Sequence, residues 1–162
     1  MGNMIKVGMA DLKACTAPDA LTTLGLGSCV GVCLYDSATK ITGMAHVMLP
    51  DSTQISKETN RAKFADTGIE DLISEMVKLG AAKNRMTAKI AGGAQMFSFN
   101  SSVGDLMRIG DRNVLAVKEK LKNEGIPVIA EDTGLNYGRT IEFYSETGEL
   151  KVKSVGKESK IL

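Results

Sequence analysis

A chain of 162 residues, 43% apolar and 24% charged, has the size of one domain and the balance of an ordinary globule, able to bury a core without disulfides or metals. A net charge of +1 with no basic stripe between aromatics argues against nucleic-acid binding, and no apolar run approaches the ~20 residues of a membrane span. Three cysteines, unlike the spacing of a small secreted scaffold, and an N-terminus without the apolar core of a secretory signal lead us to expect a reduced, cytoplasmic setting.

In chain order, Asn3–Ala10 alternates Ile5, Val7 and Met9 with polar or small neighbours and reads as a strand. Asp11–Ala20, interrupted by Pro18, reads as irregular. Leu21–Leu26 is a short strand leading into the glycine-rich turn Gly25–Cys29. A β-hairpin follows, one arm over Gly27–Asp36 and the other over Lys40–Pro50. The polar stretch Asp51–Asn60 lacks periodicity and reads as an exposed loop. Phe64, Ala65, Ile69, Leu72, Ile73, Met76 and Val77 set a helical stripe over Arg61–Leu79, with Gly80 placed to stop it. Met86–Ala91 is a short strand before Gly92 and Gly93, and Ala94–Gly110 has no clean period. Val114, Val117 and Leu121 mark a second helix over Asp111–Asn123. Val128–Ala130 reads as a strand, Glu131–Gly134 as a turn, and Arg139–Tyr144 with Glu149–Val155 as a second hairpin. Gly156–Leu162 reads as a frayed tail. Strands, two interspersed helices and two hairpins predict a single α+β domain with mixed sheets.

The chemistry concentrates on the first hairpin. If Asp36–Thr39 is its loop, Tyr35 pairs with Lys40, Cys33 with Thr42, Gly31 with Met44, and Cys29 with His46, the only histidine. A slip of one residue would put the last two on opposite faces. Side by side and partly desolvated, they can exchange a proton to give a thiolate–imidazolium pair and so act as nucleophile and proton carrier in acyl transfer. Thr22 and Thr23, on the strand feeding the turn, are both placed to orient the imidazole. Backbone N–H groups of Gly27, Ser28 and Cys29 are candidates to hold a developing oxyanion. The same residue types also fit a buried structural thiol and a core imidazole. Cys15 and Cys33 read as structural. Four zinc-competent side chains exist, but Cys29 and Cys33 stand about 13 Å apart along a strand at ~3.3 Å per residue, which excludes a shared metal. Gly92 and Gly93 are followed by no phosphate-loop Lys or Ser/Thr, and no cofactor is expected. Phe97 and Phe99 read as core plugs or a partner-binding patch.

Thr23-Leu-Gly-Leu-Gly-Ser-Cys-Val30, Ala45-His-Val-Met-Leu-Pro-Asp51, Phe64-Ala-Asp66, Lys89-Ile-Ala-Gly-Gly-Ala94, Arg112-Asn-Val114 and Glu131-Asp-Thr-Gly134 together resemble the CheD family, chemoreceptor glutamine deamidases of bacterial and archaeal chemotaxis. The resemblance runs from about Ile5 to Val155. It implies a layered α/β/β/α sandwich similar to toxin-type cysteine deamidases, and a catalytic set of Cys29, His46 and Thr23. The implied reaction is hydrolysis of receptor glutamine side chains to glutamate, adding one negative charge each time, with receptor methylesterase activity a possible side reaction. It further implies the phosphatase CheC as a partner, for which the Gln95–Gly110 segment with Phe97 and Phe99 is the expected surface. The alternative it leaves open is a regulatory module that engages CheC, with catalysis secondary.

Overall fold

The computed structural model describes residues 2–52, 60–95 and 108–162, and these form two five-stranded sheets and two long helices. The strands are β1 (Met4–Lys6), β2 (Leu12–Thr16), β3 (Ala20–Leu26), β4 (Val30–Asp36), β5 (Ile41–Val47), β6 (Met86–Gly92), β7 (Val128–Thr133), β8 (Arg139–Tyr144), β9 (Leu150–Lys153) and β10 (Lys160–Ile161). The helices are α1 (Ala65–Leu79) and α2 (Ile109–Asn123). One sheet runs β1-β3-β8-β9-β10 and the other β2-β5-β4-β6-β7. Each is mixed, with β1 parallel to β3 and β6 parallel to β7.

Alternation along β4 divides the core. Val30, Val32 and Leu34 face α1 and α2, meeting Ile69, Leu72, Met76, Val117 and Leu121. Cys29 and Cys33 face the other sheet, with Met44, Leu21, Leu26, Ile141 and Phe143. The two sheets therefore pack face to face, and both helices cover the outer side of the β5-containing sheet. The α+β class with mixed sheets holds. Of the expected α/β/β/α layers, the outer helical layer on the β3-containing sheet has no counterpart among the described residues.

Local chemistry fixes the helix ends. The backbone N–H of Gly80, in the left-handed region at φ 117°, bonds back to the carbonyls of Met76 and Val77 and terminates α1. Gly43 on β5 lets α1 approach closely, because a Cβ there would lie 2.6 Å from the Met76 sulfur.

Two expectations about strands are corrected. Asp11–Ala20 contains β2, which pairs Leu12 with Ala45 and Thr16 with Ile41. Its lysine, threonine and small residues hide the period-2 signal of an edge strand. Gly156–Leu162 does not end as a frayed tail: Lys160 and Ile161 pair with Val152 and Lys151, and Lys89 donates to the Leu162 carbonyl at 2.7 Å. The Asp51–Asn60 loop and the Phe97 and Phe99 patch fall mainly or wholly outside the described residues.

Candidate active site

The hairpin forms with a register two residues away from the expected one. Its loop is Ser37–Lys40, so Asp36 pairs with Ile41, Tyr35 with Thr42, Cys33 with Met44 and Gly31 with His46. Cys29 is thus not directly opposite His46. It stands two residues before Gly31, diagonal to the histidine, and its side chain joins the cluster between the sheets. Diagonal neighbours sit about 7 Å apart, and no hydrogen bond joins Cys29 to His46 among the described residues. The two-residue displacement preserves the shared face, since side chains alternate with period two. The hairpin's turn residues carried too little type-specific signal to choose between loops one step apart.

His46 is fully buried, and its Nδ1 lies 2.8 Å from Oγ1 of Thr23 on the facing sheet. That hydroxyl has one proton, and it donates it to the Val7 carbonyl at 2.7 Å. Thr23 can therefore only accept from the ring, so Nδ1 carries the hydrogen and Nε2 keeps its lone pair. Nε2 is buried and has no hydrogen-bond partner among the described residues. Thr22 points the other way, donating to the Ile141 carbonyl on β8 at 2.8 Å. The choice between the two threonines, open from spacing alone, is settled by strand alternation: the sheets face each other across Thr23.

Burial governs the charges. It pushes the Cys29 thiol up, with its own backbone N–H pulling part of the way back, and it pushes the His46 imidazole down. Both shifts act in the same sense, against charge on either side chain. Cys29 keeps 8% of its surface exposed, whereas Cys33 keeps none and its thiol is pushed strongly up by burial. Cys15 contacts the hydroxyls of Thr42 and Ser145 at 3.2 and 3.4 Å, a buried polar cluster away from His46.

The turn that carries Cys29 is held by its carbonyls. Ala94 N–H donates to Gly27 O at 2.9 Å, and Gly93 N–H donates to Cys29 O at 2.8 Å. Between them, the Asn113 side-chain amide on α2 donates to Ser28 O at 3.0 Å and also to Met48 O at 3.0 Å. Asn113, Gly92 and Gly93 stood in two of the motifs that carry the resemblance, but sequence reasoning gave none of them a role at the Cys29 turn. Gly92 has φ 109°, and a Cβ there would lie 2.2 Å from the Cys29 carbonyl oxygen. A Cβ on Gly110, at the start of α2, would meet the Gly93 and Ala94 carbonyls at 2.6 and 2.5 Å. The glycines' signal lay in their pairing with the Cys29 turn, which only the register of β4 against β6 reveals, with Val30 opposite Gly92.

Comparison with known proteins bears on this geometry. The chain is 61% identical over 160 residues, 99% of both chains, to a protein of Lachnoclostridium phytofermentans named probable chemoreceptor glutamine deamidase CheD. It is 54% identical, again over 99% of both chains, to the chemoreceptor glutamine deamidase CheD of Halalkalibacterium halodurans. Among solved structures, a Neisseria meningitidis protein of the DUF152 family aligns over 82% of this chain and 64% of its own, with TM-score 0.50 and 11% identity, a likeness of fold alone. A family model described as CheD chemotactic sensory transduction matches residues 48–154, a span that begins just after His46. With the family model matching well over half of the chain and relatives matching nearly all of it, the chain belongs to the CheD family.

Proposed function

We propose that this protein deamidates glutamine side chains on chemoreceptors, with Cys29 as nucleophile, His46 as proton carrier and Thr23 as the group that orients the ring. The reading is carried by one observation: the Thr23 hydroxyl, committed to the Val7 carbonyl, fixes the hydrogen on Nδ1 and leaves Nε2 as a buried base without a partner among the described residues. The names of its relatives supply the substrate class.

In the proposed cycle His46 Nε2 takes the Cys29 proton as sulfur bonds to the carboxamide carbon. The oxyanion forms near the Ser28 and Cys29 backbone N–H groups. Collapse breaks the C–N bond, and the imidazolium gives its proton to the departing nitrogen, which leaves as ammonia. Water then attacks the thioester, losing a proton to Nε2. The C–S bond breaks, the imidazolium returns a proton to sulfur, and glutamate remains. Each event adds one negative charge to a receptor helix bundle, which biases its signalling equilibrium electrostatically. The same nucleophile can in principle hydrolyse a glutamyl methyl ester.

Mass spectrometry of a receptor cytoplasmic fragment tests the reading. Wild-type protein is expected to convert specific glutamines to glutamates, and Cys29→Ala to convert none. Deamidation undiminished in Cys29→Ala would remove the cysteine from the mechanism. We further propose that the Gln95–Gly110 segment contributes to binding CheC. Phe97→Glu or Phe99→Glu is expected to weaken that binding, and unchanged binding in both would discard the surface.

A further inference from the structure

We infer that Asn113 is a positioning residue for the oxyanion site: it pins the Ser28–Cys29 peptide by its carbonyl, so that the Cys29 N–H is held toward the reacting sulfur. The inference rests on the acyl-transfer reading of Cys29. Asn113 is fully buried on α2, and both atoms near its amide are carbonyl oxygens, Ser28 O and Met48 O, so the amino group must face them. A trans peptide is planar, and its C=O and N–H point in opposite directions. Ser28 O is drawn to the α2 side, which turns the Cys29 N–H away from α2. Its own sulfur lies on that side, in the cluster between the sheets, where this N–H favours the thiolate form.

The neighbouring peptides are fixed in the same sense. Gly27 O accepts from Ala94 and Cys29 O accepts from Gly93, so three successive carbonyls are held by the segment just after β6 and by α2. Without Asn113 the central one loses its partner and the peptide is free to rotate. The second bond, to Met48 two residues past His46, ties the nucleophile's turn to the strand that carries the base. One side-chain amide therefore holds both halves of the site.

An oxyanion site matters for acyl transfer, which passes through a tetrahedral oxyanion, and not for alkylation, in which sulfur displaces iodide at a saturated carbon. This contrast separates Asn113 from a residue that only supports the fold or the nucleophile. Wild type, Asn113→Ala and Asn113→Asp are compared in receptor deamidation, in acetylation of Cys29 by p-nitrophenyl acetate, and in its alkylation by iodoacetamide. A carboxyl in Asn113→Asp has at most one proton to offer the two carbonyls, so it loses at least one of the two bonds and is expected to move in the same direction as Asn113→Ala. Deamidation is expected to fall about 100-fold, chiefly in kcat, and acetylation about tenfold, while alkylation stays within about threefold. Parallel falls in acetylation and alkylation, or no fall in acetylation, would overturn the inference. So would alkylation of the buried Cys33 in both variants, which would mark Asn113 as a folding determinant. If wild type is acetylated in an Asn113-dependent way yet never deamidates receptor, the proposed substrate fails and the inference stands.

Discussion

The hydroxyl of Thr23 carries one proton, already given to the Val7 carbonyl, and that commitment defines the histidine. Thr23→Val leaves Nδ1–H without its acceptor and is expected to lower kcat roughly 100-fold, the lower end of what general acid–base catalysis contributes. Thr23→Ser keeps the hydroxyl and is expected to stay near wild type; equal activity in the valine variant would refute the tautomer argument. The pH profile follows from the same residue. Burial lowers the His46 pKa, and in the proposed cycle the neutral ring is the working base. The acid limb of kcat/KM should therefore fall below the ordinary imidazole value of about 6.5, with full rate above it and loss as pH drops through the lowered pKa. Stability shares the sign: below about 6.5 the unfolded chain binds a proton that the folded site resists, so acid weakens the fold. At this scale Cys29 and His46 were legible as residue types capable of one chemistry on a shared face. Thr23 over Thr22 was not legible from spacing, because it depends on which side of β3 meets the other sheet. Asn113 stood in one of the family motifs, but its role was not legible because its partners are backbone carbonyls.

The turn bearing Cys29 is built by neighbouring elements, and Gly92 on β6 is where they press closest. Gly92→Ala combines a strained φ with a collision against the Cys29 carbonyl oxygen. Gly125→Ala, past the end of α2 at φ 76° with open space around its Cβ position, carries the strain alone. Both are expected to cost stability of about 1–3 kcal/mol, visible as a melting temperature lowered by several degrees. Only Gly92→Ala should also cut turnover sharply; equal activities in the two variants would show that the carbonyl's position is immaterial. The helices were readable from their stripes and their glycine stops, Gly80 most clearly. Strand β2 was not, since an edge strand made of lysine, threonine and small residues lacks the alternation that marks a half-buried one. The first hairpin was found with its loop misplaced by one residue, which moved every partner by two and left each side chain on its expected face.

Across the whole molecule, the sheets were legible as a class, but their stacking was not, because which apolar face meets which is decided by long-range packing. That packing brings β3 against β5, and with it Thr23 against His46. Phe143 and Tyr35 meet edge to face across the same interface, ring centroids 6.1 Å apart. Phe143→Ala should cost about 3–5 kcal/mol. The Thr23–His46 hydrogen bond thus belongs to neither sheet by itself and exists only while the two are docked. Turnover is therefore a gauge of tertiary contact. In mild urea, especially in Phe143→Ala, activity should vanish at concentrations where far-ultraviolet circular dichroism still reports intact strands, and coincident losses would contradict this. Slippage of about 1 Å along that seam would carry the Thr23–His46 pair out of hydrogen-bond reach with every strand still in place.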